Sequence, residues 1–450
     1  MTIGISKLLD AMTELSSRVT CSNSNCQDFS QIYEDYAKLE LEPGSAILFL
    51  AGNSLEFIYH WVAIVANQYV PVPASPALKS ARIKDLQRSL SLSAVVCSRA
   101  SASLFEGEQT KTIGSLEFIK FVDAHPAYSA GEVLILTSGT SGLHTACVHK
   151  VESLIENARM HNEALGITSS DRQLLLLPMY YSFAMVAQTI GSILSGCHLV
   201  IEGPPFTAGR YAKKIEQYAI SVSAVTPTLV REILSSGVEI APLRVLSVGG
   251  DQLGADDVAK LLAKPYVNEL YLTYGLTEAG PRVATLAAHR SDAKLYDSVG
   301  TTFPGIESVI NDPDQHGVGE LYIKTPTALV RKVGDGTLPA IGSHGYLETG
   351  DLFTKDEDGN LRHVGRKRDF VLVNGEKVNT KSISQIAEKH PAIKFAKTSV
   401  SEDGSLHLEI SVRTDQHIED AELGGFLSQR LQRFEMPSKI VKVEANEFQK

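Results

Sequence analysis

The run Thr137-Ser138-Gly139-Thr140-Ser141-Gly142 follows directly on the apolar stretch 133–136. An apolar strand opening into hydroxyls and glycines is a way to curl backbone around phosphates: Gly139 and Gly142 permit close approach, and Thr137, Ser138, Thr140 and Ser141 supply hydroxyl donors. It is not the lysine-bearing phosphate loop of kinases and GTPases, because Leu143-His144 stand where lysine and serine or threonine are needed. A second group is Tyr274-Gly275-Leu276-Thr277-Glu278, at the end of an apolar strand. It offers an aromatic plane, a glycine allowing close approach, a hydroxyl, and a carboxylate able to hold a divalent cation. A third is Asp351, behind the turn Gly345 to Gly350, where a carboxylate can accept both hydroxyls of a ribose. Each also has a plainer reading: the hydroxyl run as a flexible turn, Tyr274 as core, Glu278 as a helix-start charge, Asp351 as a turn cap.

The elements that must position these groups alternate in type. Helical spacing over 29–39 gives way at Glu42-Pro43-Gly44 to a strand over 46–50, then a helix opening at Asn53-Ser54 and a strand over 69–73. The order repeats with a helix over 79–90 and a strand over 94–97, and again after the hydroxyl loop: helix 151–165, strand 173–178, a helix to 194, strands 198–201 and 223–226, and strand 244–248 leading into Gly249-Gly250-Asp251. Strands alternating with helices predict helix-covered, mostly parallel sheets, whose ligands lie beyond the carboxyl ends of the strands. From 319 onward the pattern turns antiparallel, with a hairpin over 353–364 turning at 356–360. The fold expected is α/β: a large amino-terminal domain over 1–364 with a small β-barrel-like part, a charged hinge Gly365-Arg366-Lys367-Arg368-Asp369, and a small mobile α+β domain over 370–450.

A net charge of −10 gives no electrostatic case for nucleic acid. No stretch approaches the ~20 apolar residues of a membrane span, and the amino end lacks a basic segment leading into a long apolar run. The chain therefore reads as cytoplasmic, with its five cysteines as free thiols in a reducing compartment.

Taken together, TSGTSG, YGLTE, YLETGD and GRKRD, in this order and at these separations, resemble the adenylate-forming superfamily of acyl- and aryl-CoA synthetases, peptide-synthetase adenylation domains and luciferases. The resemblance covers roughly 40–440. It implies two-step chemistry: a carboxylate attacks the α-phosphate of ATP to give an acyl-adenylate and pyrophosphate, and a thiol of CoA or of a carrier protein's phosphopantetheine arm then displaces AMP. No enzyme nucleophile is required, so positioning and charge stabilisation carry the catalysis. By this resemblance Thr137 to Gly142 cradle the β- and γ-phosphates, Gly249, Gly250 and Asp251 with Tyr274 hold adenine, and Gly275 is a further cofactor-binding residue. Thr277 meets the α-phosphate, Glu278 the Mg2+, Asp351 the ribose, and Arg366 the ribose or phosphate. Arg368 matches the hinge position, where aspartate or lysine is more usual.

Departures from the family pattern bear on the same chemistry. The family's loop continues with a proline and a lysine, whereas here Leu143-His144-Thr145 follow, and Lys150 does not match the position. A second family lysine, which orients the carboxylate and α-phosphate, lies beyond a stretch resembling Met436-Pro437-Ser438-Lys439-Ile440. Its place would fall after Lys450, so the small domain is expected to lack its last stretch, or the first half-reaction to be impaired. At the substrate motif Tyr180-Tyr181-Ser182-Phe183 no carboxylate stands ready to pair with an α-ammonium, which argues against an ordinary amino acid. Walls from Tyr180, Phe183, Thr226, Pro227 and Val248 favour an aryl or short-to-medium acyl acid. The alternatives are transfer to an amine, activation of another oxyanion, or a non-catalytic nucleotide-binding homologue.

Overall fold

The computed structural model describes every residue except 1–2, 22–25, 108, 123–124, 138–144, 204, 335–339, 374–375, 402–404, 414–415 and 444–450. The sequence-expected hydroxyls and glycines at Ser138, Gly139, Thr140, Ser141 and Gly142 lie outside the described residues, as do Asn374 and Gly375. The chain divides into two compact units: 1–309 with 322–349 and 355–362, and 310–321 with 350–354 and 363–450.

The first unit is built on two sheets with a parallel core. In the larger, eight strands run in the order Val19–Cys21, His198–Ile201, Arg172–Leu175, Val222–Val225, Leu243–Val248, Val267–Gly275, Arg282–Ala287, Thr301–Thr302. The first six are parallel and the last two antiparallel. The smaller, five-stranded sheet is parallel where Ala46–Leu50 pairs with Val70–Ala74 and Leu92–Ser98, and antiparallel at its far edge. Ala46–Leu50 is buried at all five positions, because helices cover both faces of a central parallel strand. One such helix, Leu55–Ala66, is set by Ser54, whose Oγ accepts from Phe57 N at 2.9 Å, and its length is almost wholly buried.

A three-stranded antiparallel sheet, Arg331–Gly334, Thr145–Lys150, Glu132–Leu136, flanks the hydroxyl loop. The antiparallel part is a four-stranded sheet in the order Glu307–Asn311, Gly319–Lys324, Leu347–Lys355, Leu361–Arg366. The second unit's carboxyl-terminal part is α+β, with the hairpin Phe370–Val373 and Glu376–Asn379 and the three-stranded sheet Ile393–Val400, Leu406–Val412, Lys439–Lys442. Helices Thr380–Glu388 and Asp420–Ser428 contribute Ile383, Leu423 and Leu427 to a core of its own. Among the described residues no helix is long and apolar enough to cross a membrane, and all five cysteines are free.

Candidate active site

Strand Val267–Gly275 delivers the YGLTE group to the mouth of the large sheet. Gly275 is obligatory there, since a Cβ would collide with the carbonyl of Pro281. Beyond it Thr277 and Glu278 occupy one short 3-10 turn. Three contacts from distant parts of the chain pin this turn. His149 donates from Nε2 to the Thr277 carbonyl at 2.9 Å, Ser182 Oγ lies 3.2 Å from Thr277 Oγ1, and Leu329 N donates to the Glu278 carbonyl at 2.8 Å. Burial keeps His149 neutral, pushing its pKa down to about 4 against the opposing pull of the Thr277 carbonyl and Glu278. A neutral ring donating through Nε2 is a fixed anchor rather than a proton carrier over most of the pH range.

The Glu278 carboxylate is paired with Lys332 Nζ at 2.8 Å, and both side chains are partly buried. Lys332 sits on the strand Arg331–Gly334, opposite Cys147 and two residues from the pairing of Gly334 with Thr145. A cation thus stands at Glu278, carried by the strand that pairs with Thr145–Lys150, and its role is not legible in the sequence. The same is true of His149. Neither residue carries a motif, and each is brought in by strand pairing alone.

Around the same turn Thr137 is tied back to Thr145, with the hydroxyls 2.7 Å apart. Tyr180 and Tyr181 stack edge to face at 4.7 Å and, with Thr137, Thr145, Leu78 and Arg82, border a cavity of about 230 Å³. The next residues diverge: Ser182 turns to Thr277, while Phe183 opens a wide π-helical segment, Phe183–Ile190, and packs against Gly249. A Cβ on Gly249 would stand 2.5 Å from Thr273 Oγ1 and 3.2 Å from the Phe183 ring, so only glycine fits. Gly250 takes φ +92° and has Thr226 within ordinary contact of its missing side chain. Asp251 is exposed and caps Gln252 N, and Tyr274 is partly buried. Val248 does not join this face, because its side chain belongs to the hydrophobic core with Val225, Leu246 and Leu272.

The second unit carries the remaining candidates. Asp351 is buried, with Arg366 Nε 3.2 Å from its Oδ1. Beside it Glu320 accepts from Gly350 N at 3.1 Å and pairs with Lys367 at 2.8 Å. Arg368, at the expected hinge, is more than half exposed and 3.8 Å from Asp369. The candidates therefore form two groups, Thr137, Ser182, Thr277 and Glu278 in one unit, and Asp351 and Arg366 in the other.

No group of three or more metal-binding side chains occurs among the described residues. Mg2+ is usually held by one or two carboxylates together with substrate phosphates, and Glu278 presents one carboxylate at this turn.

Glycine-pinched strand ends, a hydroxyl turn and a carboxylate beyond a parallel sheet define a nucleotide-handling α/β protein. The chain belongs to the family of AMP-binding enzymes, whose model matches residues 37–331, and so to the adenylate-forming superfamily. It is 24% identical over 361 residues to the 4-coumarate–CoA ligase-like 2 of Arabidopsis thaliana, covering 74% of this chain and 63% of that protein. It is 25% identical over 312 residues to the 2-succinylbenzoate–CoA ligase of Lactococcus lactis subsp. lactis, covering 68% and 66%. The chain thus spans somewhat under two thirds of the length of these relatives. In fold it is similar to the O-succinylbenzoate coenzyme A synthetase of Bacillus subtilis in complex with AMP, with TM-score 0.82 and 19% identity over 97% of this chain and 94% of that one. It is likewise similar to ATP-bound MatB from Rhodopseudomonas palustris, with TM-score 0.80 and 18% identity over 98% and 95%.

Proposed function

We propose that the protein is an ATP-dependent, AMP-forming ligase that activates a carboxylic acid as its acyl-adenylate and passes the acyl group to a thiol of CoA. The observation that carries this reading is the Thr277–Glu278 turn, fixed by His149, Ser182 and Leu329 at the mouth of the parallel sheet. In-line attack of a carboxylate on the α-phosphate needs no protein nucleophile. What it needs is a fixed donor for the crowded phosphorus and positive charge to offset the phosphates. Thr277 Oγ1 supplies the donor, Lys332 Nζ a cation, and Glu278 would hold Mg2+, which when bound neutralises phosphate charge. Thr137 to Gly142 receive the terminal phosphates, Gly249 to Asp251 with Tyr274 receive adenine, and Gly275 is a further cofactor-binding residue. Asp351 takes the ribose hydroxyls and Arg366 the ribose or phosphate.

The large domain is assigned to 1–364 and the small one to 370–450, with Arg368 at the hinge. Tyr180, Tyr181, Ser182, Phe183 and Thr226 line the acid's pocket, an aryl or short-to-medium acyl chain being the class they accommodate. A carrier protein's phosphopantetheine arm is a second acceptor of the same thiol chemistry, and the reaction is assigned to the cytoplasm. The test is acid-dependent exchange of labelled pyrophosphate into ATP, with Mg2+ present, across aryl, fatty, hydroxy and amino acids. Exchange with aryl or acyl acids supports the reading. ATP binding without exchange for any acid overturns it in favour of a non-catalytic nucleotide-binding protein.

A further inference from the structure

Among the described residues of the first unit, buried charge is paired, with one exception. The buried carboxylates of Glu132, Asp171 and Glu202 each meet an arginine: Arg331, Arg244 and Arg210 respectively. Arg282 is only 2% exposed, yet its Nε and Nη2 have no hydrogen-bond partner, and no carboxylate pairs with it among the described residues. Burial alone pulls its pKa down to about 9, with no neighbouring acid to oppose it. The charge of Arg282 adds to the effect of burial on His161, whose pKa falls to about 3. A buried cation without an anion is among the most costly arrangements a fold can hold.

The position of this cation relative to the site is defined by its contacts. Asn157 clamps the Arg282 backbone on both sides, accepting from its N–H at 2.8 Å and donating to its carbonyl at 2.9 Å. The guanidinium lies over the Phe183 ring, with Cζ 4.5 Å from the centroid. The same ring also lies against Gly249, where an added Cβ would stand 3.2 Å from Phe183 Cε1 and 2.5 Å from Thr273 Oγ1. Phe183 thus touches both the guanidinium and the glycine-pinched strand end. Arg282 opens the strand that follows the Thr277–Glu278 turn, so its backbone is fixed with respect to the reacting end.

We infer that Arg282 receives a second carboxylate at the far end of the acid, so that the substrate is a dicarboxylic acid activated at one end and anchored at the other. This rests on the adenylation reading given above. Phe183 turns aside as the distal carboxylate reaches the guanidinium. The planar fork then supplies two charge-assisted hydrogen bonds through the nitrogens that now lack partners. Arg282 acts in specificity and makes no contact with the reacting atoms.

The test compares matched acids, hexanoate with adipate and phenylacetate with 2-carboxyphenylacetate, in pyrophosphate exchange by the full chain, Arg282→Met and Arg282→Lys. Calorimetric titration of each acid into the AMP-saturated protein runs alongside. The expected result is a preference for the diacid of at least about tenfold in kcat/KM. That preference disappears in Arg282→Met, which conserves much of the volume, while the monoacid and ATP are used as before; Arg282→Lys keeps part of it. Exchange with monoacids and no diacid preference overturns the inference while leaving the adenylation reading intact, as does a preference that Arg282→Met leaves unchanged. Arg282-dependent binding of diacids with no exchange overturns adenylation and keeps the anion site. Neither binding nor exchange overturns both.

Discussion

The two groups of candidate residues are built on opposite plans. In the first unit the Thr277–Glu278 turn is held by a buried, neutral His149, a partly buried Ser182 and the backbone amide of Leu329. In the second unit the carboxylates of Asp351 and Glu320 are buried, whereas the cations they meet are open to solvent, Arg366 at 47% and Lys367 at 68% exposure. The first plan fixes donors in place. The second fixes acceptors and leaves the cations able to swing, since a half-exposed arginine gains little from a single ion pair. Rigid donors suit a transition state whose charge develops at one point, and fixed acceptors with mobile cations suit a substrate that must enter and leave.

The largest effect is expected at Glu278. Glu278→Gln removes the proposed metal carboxylate without changing size, and adenylation should fall at least ~100-fold with the melting temperature nearly unchanged. Pyrophosphate exchange and a thermal melt together check this, and near-normal exchange would remove the metal role.

Acid should next separate the two plans. Burial lowers the pKa of four histidines in the first unit, His60, His149, His161 and His198. In each the neutral form is favoured by folding, so the unfolded chain binds protons first as pH falls below its ordinary value of about 6.5. Their contribution is therefore fully present above that pH and is lost progressively toward about 4 for His149 and about 3 for His161, on the order of several kcal/mol in all. The melting temperature should drop steadily from pH 6.5 to 4.5, and His149→Gln, which keeps a donor for Thr277, should flatten the slope. A melt independent of pH across this window would mean that these rings are hydrated.

How far the sequence reveals the site follows the same division. The stretch Tyr274 to Glu278 is legible as a unit because strand, glycine and hydroxyl-carboxylate turn are consecutive. Asp351 and Arg366 are legible because a turn and a charge cluster mark them. The alternation of helices and apolar strands likewise reveals the parallel sheets. Lys332, His149 and Arg282 are illegible for one reason: each acts across a pairing or packing contact far away in the chain. Lys332 reaches Glu278 only because Arg331–Gly334 pairs with Thr145–Lys150. Arg282 reads as an ordinary charge until the strand is seen to bury it against Phe183.

A smaller effect is expected at Asp351. Asp351→Ala removes the acceptor and frees Arg366, which is already half exposed, so most of the loss should appear in ATP binding. The apparent KM for ATP should rise about tenfold with kcat changed less, because an interaction made equally in ground and transition states alters KM. An unchanged KM would take the ribose from Asp351.

The smallest and most discriminating change is Lys332→Met. Nζ stands 2.8 Å from the carboxylate that would hold Mg2+, so the lysine and the metal compete for one anion in the chain without nucleotide. Removing the lysine should lower the Mg2+ concentration needed for half-maximal thermal stabilisation by ATP, by roughly threefold, since a partly exposed ion pair is worth at most about 1 kcal/mol. If Lys332 also takes over the charge of the lysine missing from the hydroxyl loop, ATP itself should bind more weakly, and titrating ATP at saturating Mg2+ separates the two effects. A fall in the Mg2+ requirement with ATP affinity intact makes Lys332 a placeholder for the metal. A fall in ATP affinity makes it the phosphate-side cation, reached here through strand pairing and not through the loop.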